Sequence, residues 1–119
     1  DLGIVQKNDI FLLISNSGKT REILELIELS KELDSTIKFI VITGNKNSQL
    51  AKLANVVLLT GSPEEVCALG LAPTTSTTVM NVIGDILVVE TMKKIGFTIE
   101  QYNKRHHGGY LGQRSKKLL

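Results

Sequence analysis

Ser15, Ser17 and Thr20, gathered around Gly18 in the run Ser15-Asn16-Ser17-Gly18-Lys19-Thr20, are residues of the type and spacing that hold an anion. The run follows an apolar stretch, Asp9 to Ile14, and precedes a helix-patterned one, Arg21 to Leu33. A strand that ends in small hydroxyl residues and a glycine, then opens a helix, turns backbone N–H and side-chain O–H groups toward a ligand such as phosphate. Gly18-Lys19-Thr20 also spells the end of a Walker A loop. That loop needs a glycine five positions before Gly18, where Leu13 stands, so nucleoside triphosphate hydrolysis is disfavoured. A plain helix cap by Ser17 or Thr20 is the competing reading.

Thr74-Thr75-Ser76-Thr77-Thr78 is a second hydroxyl cluster, again at the start of a helix pattern and directly after Pro73. Five consecutive hydroxyl residues exceed what capping requires, so Thr75, Ser76 and Thr77 join the candidate anion donors. Glu65 precedes this cluster, and a carboxylate in a partly desolvated pocket is a standard base for removing a proton next to a carbonyl; an exposed loop glutamate is the plainer alternative. Glu22 lies within one turn of the serine loop. His106 and His107 are the only histidines, and the glycines after them allow close backbone approach to a ligand. Two adjacent histidines rarely converge on one ion, so no metal site is expected. Cys67, the only cysteine, reads as a small buried apolar residue and excludes an intrachain disulfide.

The elements that must carry these groups alternate. Ile10–Ile14, Lys38–Thr43 and Asn55–Thr60 are apolar runs without strict alternation, which fits strands of a parallel sheet buried on both faces. Between them, Thr20–Leu33 places Ile23, Leu26, Ile27 and Leu33 on one stripe, and Ser48–Ala54 forms a shorter helix. The order implies right-handed crossovers in an α/β sheet flanked by helices. Residues 61–74, with Pro63, Gly70 and Pro73, read as an irregular connection. Thr75–Ile95 is apolar almost all round, the pattern of a central buried helix, and Gly96 stops it. Thr98 with Gln101 opens a short helix to about Arg105, after which regular pattern is lost.

The 119 residues fit one modest domain with an aliphatic core. A net charge of +2 argues against nucleic acid as a partner, and the basic last sixteen residues read as a solvated tail. No apolar run approaches the roughly 20 residues of a membrane helix, so no membrane association and a cytoplasmic location are expected.

Taken together, Ser15-Asn16-Ser17-Gly18-x-Thr20 with Glu22, Ile42-Thr43-Gly44, the segment from Glu65 through Ala72-Pro73-Thr74-Thr75-Ser76-Thr77-Thr78, Gly84-Asp85 and His106-x-Gly108-Gly109-x-Leu111-Gly112 resemble the sugar isomerase (SIS) domain. More narrowly they resemble D-arabinose-5-phosphate isomerases of the KpsF and GutQ type. The resemblance implies a three-layer α/β/α sandwich that binds a phosphosugar and interconverts arabinose 5-phosphate and ribulose 5-phosphate through an enediol, without metal or organic cofactor. It implies catalytic roles for Glu65, His106 and Glu22. Ser15, Asn16, Ser17, Thr20, Thr75, Ser76 and Thr77 would hold the phosphate. Because the family's histidine comes from a neighbouring subunit, a homo-oligomer, dimer or tetramer, is implied as well.

Residues 1–119 would then be a partial SIS domain, lacking the family's first strand and helix with its Gly-x-Gly-Lys-Ser type motif and active-site lysine, and lacking CBS domains. Ala68 and His107 stand where prolines are usual. The alternatives are a non-catalytic phosphosugar-sensing module and an isomerase of a hexose or amino-sugar phosphate.

Overall fold

A computed structural model describes residues 2–119. Three strands, β1 (Ile10–Ile14), β2 (Lys38–Thr43) and β3 (Val56–Leu59), form a parallel sheet in the order β1-β2-β3. Leu13 pairs with Val41, and Val41 with Val57. Helix α1 (Arg21–Leu33) links β1 to β2, and α2 (Gln49–Leu53) links β2 to β3. With strands added in one direction, right-handed crossovers place both helices on the same face. That face carries the core: Leu13, Phe39, Val41 and Ile37 pack with Ile27 of α1 and Leu50 of α2. Phe39, Ile27 and Leu50 are almost wholly inaccessible, and burying a side chain of this size contributes about 1.5–3 kcal/mol.

The parallel α/β class is the one the apolar runs imply. Burial on both faces holds only at the central strand, where Ile42 is inaccessible; Leu12 and Ile14 of β1 and Val56 of β3 are about half exposed. The outer strands have a strand neighbour on one side only. Leu33, assigned to the inward stripe of α1, is exposed, and Ser30 is buried instead with its hydroxyl donating to the Leu26 carbonyl.

The described chain divides into two compact units, Asp1–Ile83 and Gly84–Leu119, and α3 (Thr75–Lys94) runs from the first into the second. The expectation of a central buried helix is not met: only Ser76 and Met80 of α3 are buried, while Val82, Ile86, Val88 and Val89 are about half exposed. An all-round apolar helix is buried only when elements surround it on every side, and these side chains are only half covered.

In the second unit α4 (Ile99–Arg105) starts with the expected capping box, Thr98 and Gln101 bonding reciprocally. The basic side chains of the last sixteen residues are exposed, as a solvated tail requires, but the expected loss of regular pattern after Arg105 is not met. Residues Gly109–Lys116 form a helix, α5, in which Gly112 and Ser115 are buried. Ser115 Oγ donates to Asn103 Oδ1 at 3.0 Å, tying α5 to α4. Two adjacent glycines and a polar sequence hid this helix, whose low intrinsic propensity is overcome by tertiary contact. Among the described residues no helix is long and apolar enough to cross a membrane.

Candidate functional site

The serine loop sits at the carboxyl end of β1, where ligands gather in open α/β sheets. It is tied to β2: the Ser15 amide donates to the Ile42 carbonyl, and the Asn16 carbonyl accepts from the Gly44 amide and the Thr43 hydroxyl. Gly18 adopts φ +64°, which lets the chain double back so that its amide donates to both the carbonyl and the hydroxyl of Ser15.

These bonds sort the expected phosphate donors. Ser15 is buried, and its hydroxyl pairs with that of Thr20 at 2.7 Å, bracing the loop from inside. Thr20 occupies the N-cap position of α1, yet its side chain makes no capping bond. The plain-cap reading therefore fails for the Thr20 side chain, and the Arg21 and Glu22 amides are left to a ligand or solvent, while the Ile23 amide donates to the Thr20 carbonyl. Ser17 is exposed and accepts from the Lys19 amide at 3.2 Å. Asn16 and Glu22 are also exposed, Glu22 in the first turn of α1.

A cleft of about 550 Å³ opens beside the ends of β2 and β3, lined by Gly44, Asn45, Lys46, Leu59, Gly61 and Ser62. The Ser62 hydroxyl donates to the Gly44 carbonyl and closes the two loops on each other. Lys46 and Ser62 escaped the sequence reading. The available signal was the replacement of apolar residues by small and hydroxyl ones after each strand, Thr43-Gly44 and Thr60-Gly61-Ser62.

At the start of α3 the second hydroxyl cluster meets Glu65. Glu65 Oε2 accepts from the Thr74 amide at 2.7 Å, the Thr74 hydroxyl at 2.9 Å and the Ser76 amide at 3.3 Å. A carboxylate thus caps α3, which is why the hydroxyls are not needed for capping. The Ser76 side chain first, then the Thr74 amide, holds the Glu65 carboxyl far below its ordinary value, at about 2. Thr77 and Thr78 hydroxyls both turn back to the Thr74 carbonyl. Ser76 is buried, and the buried Thr75 hydroxyl has no hydrogen-bond partner among the described residues.

Ionised Glu65 stabilises the fold fully above its ordinary value of 4.5, and that contribution is lost as pH falls toward about 2. Denaturant midpoints of the wild type and Glu65→Gln are expected to differ most near pH 6 and to converge below pH 4.5. A pH-independent difference would rule out the capping carboxylate.

Cys67, expected to be a buried apolar residue, is only half-buried. Its Sγ accepts from the Ala72 and Leu71 amides at 3.1 and 3.2 Å, and these amides, Ala72 foremost, lower the thiol below its ordinary value. The Gly70 turn folds those amides over the sulfur, a placement that residue type does not foretell.

His106 and His107 lie in the second unit and are exposed. His106 is the C-cap of α4, its amide donating to the Tyr102 carbonyl. Among the described residues no group of three or more His, Cys, Asp or Glu side chains could hold a metal ion.

A parallel sheet with a hydroxyl-rich helix start at its carboxyl edge defines an α/β protein of the open-sheet class. The SIS domain family matches residues 1–90, and the chain belongs to that family. Arabinose 5-phosphate isomerase KdsD of Pseudomonas aeruginosa is 46% identical over 114 residues, 96% of this chain and 34% of that protein. The Escherichia coli K12 protein of the same name is 45% identical over all 119 residues, 35% of its length. The chain thus spans about a third of these relatives. A crystal structure from Bacteroides fragilis, described as a phosphosugar isomerase involved in capsule formation, superposes with TM-score 0.89 at 68% identity, over 92% of this chain and 57% of that one. An Escherichia coli CFT073 protein in complex with arabinose 5-phosphate gives 0.82 at 35% identity, over 89% and 55%.

Proposed function

We propose that the protein containing this chain is a phosphosugar isomerase, with arabinose 5-phosphate and ribulose 5-phosphate as its substrate pair. The observation that carries this reading is the α1 start, with its Arg21 and Glu22 amides uncapped and Ser17 exposed, in a chain matched along its length by arabinose 5-phosphate isomerases. The phosphate binds at Ser17, Thr20 and the α1 amides, and this remote binding energy positions the sugar carbons. The Ser15 hydroxyl and the Asn16 carbonyl hold the loop in shape. Thr75, with its unpartnered hydroxyl, is the donor of the second cluster that best fits a ligand.

Aldose-ketose interconversion moves one proton between C2 and C1 and another between their oxygens. His106 assists ring opening. Glu65 Oε2 already accepts three hydrogen bonds at the α3 start, whereas Glu22 stands exposed in the first turn of α1. Glu22 therefore carries the proton, while Glu65 holds the α3 start in place. The protein is cytoplasmic and self-associates, using the exposed apolar side chains of α3.

Replacing Ser17 by Ala removes a hydroxyl that bonds a charged group, so affinity for arabinose 5-phosphate is expected to fall about 10-fold or more, with the unphosphorylated sugar little affected. Calorimetric titration of both sugars measures this. An equal loss for both would remove the phosphate role. Turnover of a panel of five- and six-carbon aldose phosphates by the whole protein tests the substrate; a six-carbon preference would overturn the pentose assignment.

A further inference from the structure

We infer that Tyr102 is a positioning residue that fixes the His106 imidazole for its part in the isomerase reaction, an inference that rests on the functional reading above. The two rings stand four residues apart at the end of α4, the spacing that brings side chains together on a helix. Their centroids are 4.2 Å apart and their planes 11° from parallel, a close stack. His106 Nδ1 lies 3.4 Å from the Tyr102 carbonyl oxygen, so the same residue faces both the ring plane and one ring nitrogen. With Nδ1 turned to that carbonyl, Nε2 is the nitrogen left for substrate.

Without such a hold an exposed histidine exchanges rotamers freely, and ordering it on substrate costs free energy at each turnover. Tyr102 is itself partly enclosed. It is half-buried and lines a cleft of about 290 Å³ with Phe97, Ile99, Leu111 and Leu118. The backbone side of His106 is equally constrained. A side chain at Gly112 would stand 2.3 Å from the His106 carbonyl oxygen, so α5 is seated directly against the segment that carries the imidazole. Among the described residues the Tyr102 hydroxyl has no hydrogen-bond partner, so the hold is exerted by the ring. Phenylalanine should serve in its place.

The test uses the whole protein labelled at histidine 13Cε1, with a His106→Gln sample identifying the His106 signal. In the wild type that signal should be displaced by the neighbouring ring. Tyr102→Leu should return it toward the free-histidine position and leave His107 unmoved; Tyr102→Phe should preserve the wild-type spectrum. In arabinose 5-phosphate turnover, Tyr102→Leu should lower kcat about 10-fold to 100-fold with KM changed less than about 2-fold, and Tyr102→Phe should restore it. An unmoved His106 signal in Tyr102→Leu overturns the inference. So does a moved signal with unchanged kcat, or a Phe variant as impaired as Leu. A wild-type protein without isomerase activity that shows the displaced signal refutes the functional reading and the part of Tyr102 in turnover, while upholding the stacked geometry.

Discussion

Gly18→Ala should unfold the serine loop and cost the protein about 2–5 kcal/mol, the sum of left-handed backbone strain and overpacking. At φ +64° a Cβ at this position would lie 2.1 Å from Ser48 Oγ, 2.4 Å from Ser48 Cβ and 3.1 Å from Thr43 Oγ1. None of these can move cheaply. Ser48 is buried, and its hydroxyl caps α2 by accepting from the Ala51 amide; Thr43 is inaccessible, and its hydroxyl donates to the Asn16 carbonyl. The Gly18 carbonyl also accepts from the Leu50 amide, so the strain would reach the core at Leu50. A lowered urea midpoint and loss of arabinose 5-phosphate binding are the expected measurements. A variant with wild-type midpoint and affinity would show that the loop does not depend on this close approach.

The largest effect on activity is expected from Glu22→Gln and His106→Ala, each lowering kcat about 100-fold to 10,000-fold, the range for a positioned acid or base. Both residues are exposed, so their loss should leave the unfolding midpoint nearly unchanged and separate chemistry from folding. Glu65→Gln should show the reverse balance, a smaller fall in kcat and a shift in acid stability, because its Oε2 already accepts three bonds at the start of α3. Comparison of kcat across the three variants decides the assignment. If Glu65→Gln loses more turnover than Glu22→Gln, the proton-carrying role passes back to Glu65. Full activity in both carboxylate variants would remove the proposed mechanism.

Most of the element order was legible because it rests on local pattern. Apolar runs of strand length became β1 to β3, the stripe of Ile23, Leu26 and Ile27 became α1, and Thr98 with Gln101 became the capping box of α4. The membership in the SIS family was legible for the same reason, since its motifs are short and contiguous. The helix α5 was not legible. Its glycines read as a break, and only the close seat of Gly112 on the His106 carbonyl, with the Ser115–Asn103 bond, accounts for it.

By itself, then, the sequence determined which residues could do chemistry and on which element ends they stand: the serine loop after β1, the threonine run opening α3, the histidine after α4. Only the tertiary structure decided how those groups are used. Ser15 and Thr20 bond each other, Glu65 caps α3, Cys67 sits under two amides, and His106 lies on Tyr102. The physical reason is that residue type specifies how many bonds a group can make, whereas the fold specifies which partners come within about 3 Å. A hydroxyl buried inside the loop, as at Ser15, is a brace, and one that stays exposed, as at Ser17, keeps bonding capacity for a ligand.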